Sequence, residues 1–277
     1  MKKTSEKILG ILTYAAGFIT LALLAFILLF ILVKGIPYIK PSLFALQSTS
    51  ENVSLMPALI STIMMTFAAL LLAVPIGIGA AIYLVEYAKR GNKVVALIRL
   101  TAETLSGIPS IIYGLFGMLF FVTYLRWGYS LLAGAFTLAI MILPLIMRAS
   151  EEALKAVPDI YREGSFGLGA GKLRTVFKIV LPAAMPGIWA GIILAVGRIV
   201  GETAALIYTA GTVAKIPVNP MQSAETLSVH IYSLYREGLH MNESYATAVV
   251  LLLVIMGINA AAAKIAKKVG GGINNDI

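Results

Sequence analysis

Asp159-Ile160-Tyr161-Arg162-Glu163-Gly164-Ser165-Phe166-Gly167-Leu168-Gly169 lies at the centre of a charged loop, 148–182, in a chain that is otherwise nearly uncharged. Val157-Pro158 stops whatever helix precedes it, because proline disfavours helical backbone in the residue before it. Asp159 is suited to cap a new helix, with its carboxylate accepting from the orphan amides of the first turn. A short helix starting there displays Tyr161, Phe166 and Leu168, which need a partner surface, and docking of a helix into a groove supplies one. Glu163 then falls at that contact, as a cap or as one half of an ion pair.

On either side of this loop the chain is built for lipid. Hydrophobic residues make up 59% of the 277 and charged residues only 13%. The charges leave six long uncharged runs: 8–33, 52–85, 104–125, 127–147, 179–197 and 244–263. Each has at least the roughly 18 residues a helix needs to cross a hydrocarbon core of about 30 Å. A barrel would alternate in segments of about ten residues, and a backbone facing lipid must satisfy its own hydrogen bonds. The expected fold is all-α and polytopic, with six transmembrane helices. The first run is too long for the apolar part of a signal peptide and lacks a small-residue cleavage site, so it reads as a retained helix.

Lysine and arginine sort between the two sides. Three lie before the first span, four between Glu86 and Glu103, six between Arg148 and Lys178, and three in the C-terminal tail. The other six are Lys34, Lys40, Arg126, Arg198, Lys215 and Arg236. Positive charge concentrates on the cytoplasmic side, which puts both termini and the Glu163 loop there. The same bias accounts for the net charge of +9, and no aromatic-interleaved basic patch suggests nucleic acid.

Cysteine is absent, which excludes disulfides, thiol catalysis and Cys-based zinc sites. His230 and His240, ten apart in an outward loop, read as surface residues. The run Gly167-Leu168-Gly169-Ala170-Gly171-Lys172 is a decoy. A phosphate-cradling loop needs Gly, four residues, Gly-Lys and then Ser or Thr, whereas Phe166 holds the first position and Leu173 follows the lysine.

Several spans carry helix breakers: Pro75 with Gly77 and Gly79 in the second, Gly107-Ile108-Pro109 in the third, Pro144 in the fourth. Each is expected to interrupt or kink its helix. Simple packing kinks and walls of a cavity that opens and closes are both open readings. Gly187/Gly191 and Gly197/Gly201 are small-xxx-small pairs, which let backbones approach closely. The glycines and asparagines after Lys268 suggest a frayed tail.

Arg198 lies sixteen residues beyond Pro182, about 24 Å at 1.5 Å per residue, and Glu202 follows one turn later on the same helical face. A charge at bilayer depth costs about 2.5–3.5 kcal/mol even on permissive insertion scales. Position alone fits a structural ion pair and a substrate site equally. Arg148, at the inner end of the fourth span, is a second cationic candidate, and a snorkelling anchor explains it as well. Ser106, Ser110 and Tyr113, spaced by four and three, are expected on one helical face as neutral donors or as helix–helix bonds.

Glu163-Gly164-Ser165, Gly169 six after the glutamate, and Ile179-Val180-Leu181-Pro182 resemble the cytoplasmic loop of type I ABC-importer permeases. Gly164-Ser165 stands where that family usually has two alanines. The five spans from Leu55 to Ala263 resemble the family's core. This divides the chain into an N-terminal helix and linker (1–54), a permease core (55–263) with its coupling loop (148–182), and a tail (264–277). The resemblance implies that Tyr161, Glu163, Phe166, Leu168, Gly169, Leu181 and Pro182 serve coupling to a separate ATPase.

Gly197-Arg198-Ile199-Val200-Gly201-Glu202-Thr203-Ala204 and Ser106–Gly117 closely resemble segments of phosphate-importer permeases. That likeness implies a substrate path through Arg198, Glu202, Arg148, Ser106, Ser110 and Tyr113. It also implies a second permease subunit, two ATP-binding subunits and an extracytoplasmic phosphate-binding protein. The chain itself is expected to be non-catalytic and to bind no cofactor, with ATP and Mg on the partner subunits. The expected location is a bacterial or archaeal plasma membrane. An importer for another oxyanion, such as sulfate or molybdate, and an autonomous carrier are the alternatives.

Overall fold

In the computed structural model, residues 2–49, 52–89 and 91–271 are described. The first helix, α1 (Lys2–Gly35), presents its apolar sides outward and touches the rest mainly through the last helix. Phe30 meets Tyr245 edge-on at 6.0 Å, and Gly35 lies against the Tyr245 carbonyl with no room for a Cβ. Two short 3₁₀ turns, Ile36–Tyr38 and Pro41–Phe44, lead to α2.

α2 (Met56–Ile82) forms the centre of the bundle with α5 (Leu131–Lys155). Met65, Ala69 and Ala73, four residues apart, are buried with Leu138, Ile142 and Ile146. Lipid offers helices little hydrophobic drive to associate, so small residues that allow close packing dominate such seams. Gly77 belongs to the same seam: a Cβ there would meet the Ile146 side chain at 2.8 Å.

The expected interruption at Pro75 does not occur, and α2 runs through it. The freed carbonyl of one turn is tolerable inside a packed bundle. The helix loosens later, in a π-type turn at Tyr83–Tyr87. Pro144 is likewise absorbed within α5.

The third expected span, 104–125, is broken near its start, and most of the charged loop expected before it is itself a helix. α3 (Lys93–Ser106) is capped by Asn92, whose Oδ1 accepts from the Val94 amide at 2.9 Å. α4 (Ser110–Gly117) continues as wide turns to Tyr124, bent 100° from α3. Gly107-Ile108-Pro109 therefore does more than kink a helix. Proline at 109 cannot donate to the ladder, and the chain uses the break to turn a corner.

α6 (Asp159–Gly167) is the short loop helix. α7 (Lys172–Thr175) passes through another π-type turn into α8 (Leu181–Val200). α9 (Ala204–Ile207) and α10 (Leu227–Glu237) lie between α8 and α11 (Met241–Gly271). Among the described residues five helices meet the length and apolarity of a membrane span, or six when the bent α3/α4 pair is taken as one. Helix extends to Gly271, so Gly270 and Gly271, expected in a frayed tail, are helical, and the rest of that tail lies outside the described residues.

On α8, Gly187 and Gly191 fit against Ala153 and Ala149 of α5 so closely that a Cβ on either would collide. The second pair does not pack this way. Gly197 has open space, and Gly201 lies only near its own helix.

Candidate functional site

The loop helix forms where it is expected. Asp159 is its first helical residue and Pro158 the cap position, so the carboxylate does not act as the N-cap. It binds Arg162 instead, at 3.1 Å. Tyr161, Glu163 and Phe166 are exposed, and Leu168 is 91% exposed. Gly169 ends the helix at φ +83°, a left-handed conformation that a side chain disfavours. Its amide donates to the Phe166 carbonyl at 2.9 Å. Leu181 and Pro182 are half-buried at the start of α8. Ser165 and Thr175 share a buried hydroxyl–hydroxyl bond of 2.8 Å, which pins the two arms of the hairpin together.

Nothing in the sequence around Glu163 singles out Arg162. Its side chain is 14% exposed and pairs with Glu86, which is 8% exposed, at the inner end of α2. Seventy-six residues separate the two, so no local pattern announces the contact. A second network lies nearby: buried Glu151 on α5 pairs with Arg99 of α3 at 2.7 Å and with Lys155 at 2.6 Å. Arg148 is exposed and lines a cleft of about 180 Å³ with Arg99, Glu103, Glu151 and Glu152.

The remaining expected path residues divide. Ser106 and Ser110 fall on either side of the 100° corner and do not share a helical face. Ser106 is exposed and donates to the Ala102 carbonyl of its own helix at 2.9 Å. Ser110 is half-buried. Tyr113 is buried and donates to the Leu105 carbonyl at 2.7 Å, across the break. The Arg198 guanidinium lies within electrostatic reach of the Tyr113 phenol.

Arg198 and Glu202 do not share a helical face. α8 ends at Val200, so Glu202 lies beyond it. Arg198 is exposed whereas Glu202 is buried, and Glu202 Oε1 accepts from the Ala205 amide at 3.1 Å at the start of α9. Among the described residues no ion pair joins them. The Glu202 carbonyl accepts from the Ser228 hydroxyl at 2.6 Å, which ties α10 to the end of α8.

The histidine expectation is half corrected. His230 is buried on α10, with Nδ1 3.0 Å from Glu225 Oε2, while His240 is about a third exposed. Glu225, five residues upstream, was the available signal. Among the described residues no cluster of His, Asp or Glu could hold a metal ion.

Residues 73–270 match the family described as "Binding-protein-dependent transport system inner membrane component". The chain belongs to that family. YqgI of Bacillus subtilis, a probable ABC transporter permease protein, is 33% identical over 279 residues, covering 94% of each chain. The phosphate transport system permease protein PstA of Haemophilus influenzae is 34% identical over 263 residues, covering 93% of this chain and 92% of its own.

Among solved structures, a bacterial alginate ABC transporter superposes with a TM-score of 0.70 at 15% identity, over 94% of this chain and 95% of its own. An inward-facing MetNI methionine transporter gives 0.61 at 21% identity, over 77% and 93%. At those identities the likeness is one of fold, and the fold is that of an ABC-importer permease. As a member of this family the chain is a multi-pass component of the inner membrane, a subunit of a type that is not itself catalytic.

Proposed function

We propose that the chain is the membrane-spanning permease subunit of an ATP-driven phosphate importer. One observation carries the substrate assignment: Arg198 is an exposed cation on the spanning helix α8. An arginine at that depth belongs in a wet cavity or against a partner. Its planar fork suits phosphate oxygens bidentately and stays charged at any physiological pH. The phosphate permeases among the relatives, matched over nearly their whole length, support the same choice.

A second permease subunit covers the exposed Arg198. Two ATP-binding subunits dock beneath on the exposed apolar face of α6, with ATP and Mg bound to them. An extracytoplasmic binding protein delivers phosphate from outside, and both termini face the cytoplasm. Energetics require such a partner. Moving one negative charge inward against 100 mV costs about 2.3 kcal/mol, and a divalent phosphate roughly twice that.

Radiolabelled phosphate uptake by the assembled complex, challenged with excess sulfate, tests the substrate. Undiminished uptake supports phosphate. Equal competition by sulfate points to a broader oxyanion importer.

A further inference from the structure

Arg162 uses every donor it has. A guanidinium offers five N–H groups in a fixed fork. Nε and Nη2 donate to Glu86 Oε1 at 3.0 and 2.7 Å. Nη2 also donates to the Leu154 carbonyl at 3.0 Å. Nη1 donates to the Val157 carbonyl at 2.8 Å and to Asp159 Oδ1 at 3.1 Å. Leu154 lies in the last turn of α5 and Val157 just beyond it, where carbonyls have lost their helical partners. One side chain of α6 therefore caps the inner end of α5 and grips the inner end of α2.

The other arm of the hairpin grips the next residue. Lys172, the first residue of α7, holds its ammonium 4.9 Å from the centre of the Tyr87 ring. Glu86 and Tyr87 are consecutive at the end of the π-type turn, where α2 gives way to the corner before α3. The hairpin thus holds α2 from both sides of α6, by an ion pair on one arm and a cation–π contact on the other. α2 in turn is packed along most of its length against α5.

We infer that Arg162 is a positioning residue that transmits movement of α6 to α2 through Glu86, with Lys172 on Tyr87 as the secondary hold. The inference rests on the proposed docking of ATP-binding subunits at α6. The pair is shielded from water on both sides, so it stays closed as the hairpin moves, and a displacement of α6 must draw the inner end of α2 with it. Lysine cannot replace the arginine, because a point-like ammonium lacks the fork that reaches Glu86 and two carbonyls together.

The test uses the assembled complex in proteoliposomes and measures three things: retention of the ATP-binding subunits, ATP turnover, and phosphate taken up per ATP. Glu86→Gln and Arg162→Lys are expected to retain the ATP-binding subunits while uptake per ATP falls about tenfold. Wild-type uptake per ATP in Glu86→Gln overturns the inference. If Arg162→Lys fails to assemble, Glu86→Gln alone decides, since it leaves the caps on α5 in place. A separate arm addresses docking itself: if Phe166→Ala and Leu168→Ala retain the ATP-binding subunits fully, docking at α6 fails, whatever the ratio in Glu86→Gln.

Discussion

The hydroxyl of Tyr113 donates to the carbonyl of Leu105 at 2.7 Å, spanning the Gly107–Pro109 corner that separates α3 from α4. The same carbonyl accepts from the Ile108 amide at 3.1 Å. Tyr113 therefore reinforces a corner that is already partly satisfied.

Tyr113→Phe removes that second bond without orphaning the carbonyl. The expected loss is about 1 kcal/mol, the usual net worth of one intramolecular hydrogen bond. Thermal unfolding in detergent, compared with wild type, checks it. A much larger loss would mean that the corner depends on the phenol alone.

Arg198→Ala is expected to abolish phosphate uptake while the complex still assembles, because an exposed side chain contributes little to packing. Arg198→Lys keeps the charge but loses the fork, and at least a tenfold weaker apparent affinity is expected. Concentration-dependent uptake in proteoliposomes separates the two variants. Normal uptake by Arg198→Ala would make the arginine structural.

Glu202 separates charge from capping. Glu202→Gln keeps an acceptor for the Ala205 amide, so stability should stay near wild type. Glu202→Ala removes a cap-like bond, and about 1 kcal/mol should be lost. If the negative charge also serves transport, Glu202→Gln lowers uptake at unchanged melting temperature. Paired melting and uptake measurements show which applies.

How much of this was legible in the sequence depends on the range of each interaction. Most spans could be read because each holds a long uncharged run, whereas α3 could not, since it carries Lys93, Arg99 and Glu103. The loop helix could be read because Pro158, Asp159 and the apolar trio of Tyr161, Phe166 and Leu168 are neighbours in sequence. Gly107-Ile108-Pro109 identified a break but not its angle, since a kink and a corner use the same residues. Arg198 and Glu202 seemed to share a face only because helical spacing was carried past Val200, where α8 stops. Arg162 was invisible because its partner is on another helix, and His230 showed only in Glu225 five residues upstream, which does not by itself reveal that α10 packs inward.

The two glycine pairs of α8 should respond in opposite ways. Gly191→Leu drives a side chain into Ala149, and overpacking of a closed seam costs about 1–3 kcal/mol. Gly197→Ala meets nothing and should stabilise the helix by up to about 1 kcal/mol through propensity. Expression and melting temperature of the two variants, side by side, check the assignment of the α5–α8 contact.

Phosphate accumulation in proteoliposomes, with and without ATP and the partner subunits, reaches the central claim most directly. Accumulation should require ATP, the binding protein and the ATP-binding subunits together, and this chain by itself should accumulate none. Concentrative uptake by the purified chain alone, or uptake in the full assembly that ignores ATP, would contradict it.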